Sequence, residues 1–321
     1  MRCLITGASG FIGSSLIPEL LKKGHRVVVL VRFSSDLSPI KPFLPEIEVL
    51  YGDLLHLGSG IFSKNSAANP DSVLKSAIGA VDAVFHLAWL GVTAEFRNDP
   101  DQIRKNLVAT LELWELARVA GCRVWIGLGS QAEYGIVNHV LREDTPTFPV
   151  TAYGVAKLAA GLATAKMSEL SGMRYVWLRL LSAYGPGDDE RHMIPSVIDA
   201  LLSGRRPALT LGEQIWDYIY VEDVSEALCA VLETTANGVY NLSSGTANTV
   251  RSVVEKIRDL IDPQLPIGFG DVPYRPDQVM FLQADISSLR ADACWQPRTG
   301  LAEGLEQTIA WARRCARDSK G

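Results

Sequence analysis

Short apolar runs alternate with longer segments of helical character along the first half of the chain. Six runs have the length and composition of buried strands, and they cover residues 2–6, 26–31, 47–51, 83–87, 124–128 and 174–180. Residues 102–120 and 153–170 repeat apolar positions at helical spacing. Because parallel strands need crossover connections, this alternation predicts an α/β fold with a Rossmann-like, doubly wound parallel sheet.

The pattern changes after about Tyr184, where prolines interrupt shorter elements. We therefore predict a dinucleotide-binding Rossmann domain over residues 1–183, with elements that return to it around 214–248. Residues 184–321 are predicted to form mainly a smaller α/β lobe for the substrate. Residues 58–70, rich in Gly, Ser, Asn and Ala, are predicted to be a surface loop.

Composition narrows the classes of function. The chain has 321 residues and a net charge of -5, and its 31 Lys and Arg are scattered, so we expect no nucleic acid partner and no membrane partner. The five cysteines have no metal-ligand spacing, which indicates reduced thiols, no metal site and a cytoplasmic protein. The first residues resemble neither a signal peptide nor a membrane anchor.

A glycine-rich turn follows the first predicted strand and precedes a helix. It reads Gly7-Ala-Ser-Gly10-Phe11-Ile12-Gly13. Glycines allow the backbone to approach a pyrophosphate, and the N–H groups at the start of a helix attract the anion. The turn therefore predicts dinucleotide binding, with a turn that holds no ligand as the alternative.

The end of the second predicted strand bears on the choice of cofactor. In many dinucleotide-binding folds an acidic residue there binds the ribose hydroxyls. Here Val31 has no acceptor and Arg32 follows, so its guanidinium can pair with a 2′-phosphate, to which Ser34 and Ser35 can add hydroxyl contacts. The sequence therefore favours NADP(H) as the cofactor, with NAD(H) still possible. The alternative for Arg32 itself is a solvated surface arginine that contacts no cofactor.

A candidate catalytic group lies further along the chain. Tyr153 and Lys157 are four residues apart, on one face of a predicted helix, and Ser130 ends a predicted strand upstream. An ammonium near a phenol stabilises the phenolate, which suits proton transfer, and the serine can hold the substrate oxygen beside it.

With these residues the sequence resembles the extended short-chain dehydrogenase/reductases, which include nucleotide-sugar epimerases, dehydratases and reductases. The resemblance covers nearly the whole chain, through TGASGFIG, GDL, VFHLA, GSQAEYG, YGVAK, LRLLSAYGPG, DYIYVEDV and GLEQTIAW. It implies that Ser130, Tyr153 and Lys157 are catalytic and that Lys157 also binds the nicotinamide ribose. It further implies that Asp53 and Leu54 contact adenine and that Leu87 and Ala88 line the cofactor, whereas His86 and Asn106 are expected to be structural.

Departures from the family pattern separate its activities. Dehydratases follow the catalytic hydroxyl with an acid and a base, but here Gln131 and Ala132 follow Ser130. Glu133 is displaced by one residue, so on an extended segment it is expected to face the other way. The stretch SQAEYG resembles reductases of nucleotide-linked 4-keto-6-deoxy sugars. We therefore expect an NADPH-dependent 4-ketoreductase of deoxysugar biosynthesis, with a 4-epimerase using bound NAD and a redox-sensing NADP(H)-binding scaffold as alternatives.

The resemblance also suggests substrate contacts and an assembly. Gln131, Ser182, Trp216 and Arg275 are predicted to contact a nucleotide-diphosphate sugar, with Arg275 on the diphosphate. The two predicted helices carry apolar residues, including Leu107, Leu111, Leu158 and Leu162, on more than one face. The family implies that these helices form a homodimer through a four-helix bundle.

Overall fold

The computed structural model describes residues 1–55, 78–275 and 278–318, and the predicted loop at 58–70 lies outside the described residues. The strands are β1 Arg2–Thr6, β2 Arg26–Val31, β3 Glu48–Tyr51, β4 Ala83–His86, β5 Val124–Ser130, β6 Arg174–Leu180, β7 Ser182–Tyr184, β8 Ala208–Leu209, β9 Ile215–Tyr220, β10 Gly238–Leu242, β11 Ala247–Thr249, β12 Gly268–Phe269 and β13 Phe281–Leu282. The α-helices are α1 Phe11–Lys22, α2 Val108–Val119, α3 Ala152–Ser171, α4 Met193–Leu202, α5 Val221–Glu233, α6 Val250–Ile261, α7 Ser287–Ala293 and α8 Leu301–Asp318.

The main sheet has seven parallel strands in the order β10-β6-β5-β4-β1-β2-β3. Successive strands extend one way from β1 and the other way from β4, so the strand order reverses between β1 and β4. In such sheets the crevice at the carboxyl ends beside the reversal binds the ligand. The predicted Rossmann-like α/β fold is confirmed.

Helices cover both faces of this sheet. On one face α1 and α5 bury apolar side chains that include Leu16, Leu20 and Leu228. On the other face α2 and α3 pack over Trp125 and Trp177. Since both faces are buried, the strands are continuous apolar runs rather than alternating ones.

A second, smaller core lies among the later elements. Strands β11, β9 and β13 form a sheet in which β7 also pairs with β9, and β12 pairs with β8. Helices α4, α6 and α8 pack around an apolar cluster that includes Tyr184 and Tyr220. Of the predicted return segment, β10 joins the main sheet whereas β9 joins the second one.

The helix predicted over residues 102–120 differs from expectation at its start. Its first turns, Gln102–Leu107, are π-helical, and only Val108–Val119 is α-helical. Gln102 and Asn106 both use their side-chain amides there to bind the backbone carbonyl of Leu90. Such wide turns are frequent at functional sites.

Candidate active site

The glycine-rich turn has the shape that a pyrophosphate requires. It links β1 to α1, and Gly10 is the N-cap of α1, with no side-chain hydrogen bond at the cap and no acidic residue in the first turn. Gly7 has a φ of +73°, and a Cβ added to it would lie 2.7 Å from the backbone N of Ala88. A Cβ on Gly13 would lie 2.2 Å from the carbonyl oxygen of Gly7. The turn and the N–H groups of Phe11 and Ile12 therefore fit a dinucleotide.

The segments after β2 and β3 lie next to each other. Arg32 and Ser34 are exposed, and the Oγ of Ser35 accepts the Arg32 N–H at 3.1 Å. The exposed ring of Phe33 stacks on Tyr51 with 5.1 Å between centroids. After β3, Asp53 Oδ1 accepts the Leu55 N–H at 3.0 Å in the turn that contains Leu54. Arg32, Ser34, Ser35, Asp53 and Leu54 remain predicted contacts of the cofactor.

Ser130, Tyr153 and Lys157 meet at the carboxyl end of β5. Ser130 is the last residue of β5, and Tyr153 and Lys157 lie in the first turns of α3. All three are buried. Burial raises the pKa of the Tyr153 phenol above its usual value, whereas the hydrogen bond of the Ser130 hydroxyl and the charge of Arg97 lower it. The arrangement suits transfer of a proton to or from an oxygen held by Ser130.

The ammonium of Lys157 is held by two groups that sequence reasoning did not identify. Its Nζ donates to the carbonyl oxygen of Leu128 at 2.6 Å and lies 3.8 Å from the ring centroid of Trp89. Trp89 in turn donates to Gln102 Oε1 at 2.8 Å. Burial lowers the pKa of Lys157 to about 7, and the charge of Glu133 raises it. Trp89 follows the VFHLA motif directly, and that position was its only sequence signal.

The expected extended segment around Glu133 is wrong. Gln131–Glu133 forms a 3-10 turn in which Ser130 Oγ accepts the Ala132 N–H and Glu133 Oε1 accepts the Ser130 N–H. The segment is not extended because these two reciprocal hydrogen bonds form a capping box that starts a 3-10 turn directly after β5.

The Glu133 carboxylate is buried and fully engaged. Its side chain is 1% exposed, and Oε2 forms an ion pair with Arg179 Nε at 2.8 Å. Oε1 also accepts the Trp177 Nε1–H at 3.0 Å. Both carboxylate oxygens of Glu133 are therefore engaged with groups inside the fold.

The comparisons with known proteins agree with this geometry. The model of the NAD dependent epimerase/dehydratase family matches residues 3–243, three quarters of the chain. The chain belongs to this family. It is an enzyme of the extended short-chain dehydrogenase/reductase class, as the sequence predicts.

Three relatives show the range of similarity within the epimerase/dehydratase family. The UDP-glucose 4-epimerase of Corynebacterium glutamicum is 26% identical and covers 97% of this chain and 95% of its own length. The solved UDP-N-acetylglucosamine 4-epimerase of Methanobrevibacter ruminantium M1, in complex with UDP-N-acetylmuramic acid, is 27% identical, with a TM-score of 0.86 and 98% of each chain covered. MoeE5 in complex with UDP-glucose and NAD is 31% identical, with a TM-score of 0.80, 98% of this chain covered and 100% of MoeE5.

The residues predicted to contact the nucleotide sugar are spread over four segments of the chain. Gln131 is half-buried in the turn after Ser130. Ser182 of β7 and Trp216 of β9 lie together, because Trp216 Nε1 donates to Ser182 Oγ at 2.5 Å. Arg275 is exposed between β12 and β13, and its carbonyl oxygen accepts the Gln278 N–H.

Of the two residues that the family expectation made structural, His86 links two threonine side chains and Asn106 holds the backbone of Leu90. His86 is buried and hydrogen-bonds Thr6 and Thr110, and burial lowers the pKa of its ring to about 3. Asn106 Oδ1 accepts the Leu90 N–H at 2.8 Å. Across residues 1–55, 78–275 and 278–318, no helix is both long and apolar enough to cross a membrane.

Proposed function

We propose that the protein is a 4-epimerase of a UDP-linked hexose that keeps its NAD bound through the catalytic cycle. The observation that carries this proposal is the set Ser130, Tyr153 and Lys157, in which Ser130 is followed by Gln and Ala rather than by an acid and a base. The next residue, Glu133, is paired with Arg179. The names of the relatives, two of which are nucleotide-sugar 4-epimerases, support the same activity.

The chain's own residues have defined tasks in this reaction. The glycine-rich turn and the start of α1 bind the pyrophosphate of the cofactor. Transfer of a hydride from C4 and its return are the chemistry that a bound nicotinamide would supply. The Ser130 hydroxyl donates to the C4 oxygen, and Tyr153 accepts the C4 hydroxyl proton and gives it back when the ketone is reduced. Lys157 supplies a positive charge beside the reacting groups, which favours the phenolate.

A specific observation also favours a second candidate, the NADPH-dependent 4-ketoreductase. Val31 is 4% exposed and has no acceptor, and the exposed Arg32 follows it, an arrangement that suits a 2′-phosphate. MoeE5, however, was solved with NAD. The epimerase therefore stands as the main proposal.

The two candidates differ in what they consume. We expect the purified protein to interconvert UDP-glucose and UDP-galactose, or their N-acetylated forms, without net change in nicotinamide absorbance. A substrate with deuterium at C4 should keep its label in the product, because the hydride returns to the same carbon. The Tyr153→Phe protein is the control for contaminating epimerases. Stoichiometric loss of NADPH with a nucleotide-linked 4-ketosugar, and no epimerisation, would establish the reductase instead.

A homodimer through the outer faces of α2 and α3 belongs to the same proposal. Val108 on α2 and Val155, Leu162 and Leu170 on α3 are exposed, with Leu162 at 63% and Leu170 at 76%. Since the other faces of these helices already pack on the sheet, the outer apolar side chains are available to a second copy.

A further inference from the structure

Arg97 and Asn98, which precede the π-helical turns, accept hydrogen bonds from the first residues of α3, the helix that carries Tyr153. The carbonyl oxygen of Arg97 accepts the Tyr153 N–H at 2.8 Å, and Asn98 Oδ1 accepts the Ala152 N–H at 3.2 Å. The first four N–H groups of a helix have no partner inside it, so these two bonds satisfy part of the N-terminus of α3. They also fix the position of Arg97 relative to the phenol.

The side chain of Arg97 turns back over the ring of Tyr153. Its Cζ lies 5.3 Å from the ring centroid, within the range of a cation–π contact. The Nε of Arg97 lies 3.5 Å from the carbonyl oxygen of Val92, which is at the limit of a hydrogen bond. Throughout the part of the chain that the structure describes, no carboxylate forms an ion pair with Arg97. Its charge is therefore available to the phenol.

The ammonium of Lys157 lies slightly farther from the Tyr153 ring than the guanidinium carbon of Arg97 does. Lys157 Nζ lies 6.0 Å from the centroid of the Tyr153 ring, and it is already bound to the carbonyl of Leu128 and to the Trp89 ring. The charged and titratable groups that face the phenol are Arg97 from the loop, Lys157 from α3 and Glu133 from the turn after β5. Other charged side chains of this region form ion pairs with each other. His192 pairs with Asp188, and Arg191 pairs with Asp189 and Glu95.

We propose that Arg97 is a positioning residue of this active site, whose guanidinium stabilises the phenolate of Tyr153 alongside Lys157. The proposal rests on the proposed function only in assigning proton transfer to Tyr153, and it holds equally for an epimerase and a reductase. The direction of the electrostatic effect supports it, because the charge of Arg97 lowers the pKa of Tyr153 against the effect of burial.

The test measures the ionisation of Tyr153 directly, in the protein without nucleotide sugar. The absorbance of tyrosine phenolates is measured as a function of pH. The chain has 9 tyrosines, so the curve of the same protein carrying Tyr153→Phe is subtracted, and the difference reports Tyr153 alone. In Arg97→Gln we expect a Tyr153 pKa about one pH unit higher, the order of magnitude for a unit charge several ångströms from a phenol in a partly hydrated site. Arg97→Lys keeps the charge and should restore most of the difference.

A matched control and the activity profile complete the test. Arg26→Gln removes an exposed arginine from the amino end of β2, at the opposite end of the sheet, and should leave the Tyr153 pKa unchanged. The acid limb of the kcat profile should move to higher pH in Arg97→Gln by the same amount as the Tyr153 pKa, with kcat at neutral pH about tenfold lower. An unchanged Tyr153 pKa in Arg97→Gln, even with a raised KM, would overturn the proposal and make Arg97 a substrate contact. Failure of the proposed function would instead show as a parent protein that transfers no hydride to or from any nucleotide sugar.

Discussion

Replacing the buried ion pair beneath the active site should destabilise the fold in a strongly non-additive way. Arg179→Met leaves the Glu133 carboxylate, 1% exposed, without its cation, and Glu133→Gln leaves Arg179, 8% exposed, without its anion. Removing one partner of a buried pair costs about 3–5 kcal/mol, because an uncompensated charge stays in the interior. In the double variant neither charge remains, and the Gln amide oxygen can still accept the Ser130 N–H. We expect the double variant to cost about 2 kcal/mol, so that the coupling energy is about 4 kcal/mol or more.

Urea unfolding of the parent, both single variants and the double variant gives this coupling energy. Lys166 and Glu169 provide the control, since they form a 3.0 Å pair with side chains 63% and 69% exposed. Glu169→Gln should change the unfolding free energy by less than about 0.5 kcal/mol, as exposed pairs do. If the costs of Glu133→Gln and Arg179→Met simply add, the pair is not the energetic unit that its geometry indicates.

Three further changes test the site and the assembly. Tyr153→Phe removes only the phenolic oxygen, so dinucleotide binding should persist while the single-turnover rate falls by about 10²–10⁴-fold; an unchanged rate would remove Tyr153 from the mechanism. Burial lowers the pKa of Lys157 to about 7, from 10.5 in the unfolded chain. Below pH 7 the buried charge therefore lowers the free energy of unfolding by its full amount, and this loss disappears as the pH rises to 10.5. The stability of Lys157→Met relative to the parent should therefore fall by about 5 kcal/mol between pH 7 and 10.5 in denaturant unfolding, whereas a constant difference would contradict the buried charge. Leu162→Glu places a charge on the exposed face of α3. Light scattering should show a particle of twice 35.0 kDa for the parent and of 35.0 kDa for the variant. A parent protein that is monomeric at all concentrations would exclude the dimer.

Local features of the chain were enough to predict the fold and to single out the candidate catalytic residues. The apolar runs of β1, β2 and β6 have the bounds that their composition predicts, because strands buried on both faces need continuous apolar side chains. The glycines of the turn after β1 are required by contacts between backbone atoms that are close in sequence or that directly follow the adjacent strand β4. Tyr153 and Lys157 share a helix face whatever surrounds them, since their spacing fixes it.

The tertiary structure decided which distant groups contact the candidate catalytic residues and the carboxylate beside them. Glu133 meets Arg179 across 46 residues, Tyr153 meets Arg97 across 56, and Lys157 meets Trp89 across 68. Periodicity and spacing carry information about neighbours on one element, but the partner of a buried charge is set by which strands pair and which loops cover them. The sequence alone therefore predicted which residues carry the proposed chemistry, and the packing of distant segments determined the electrostatic environment of those residues.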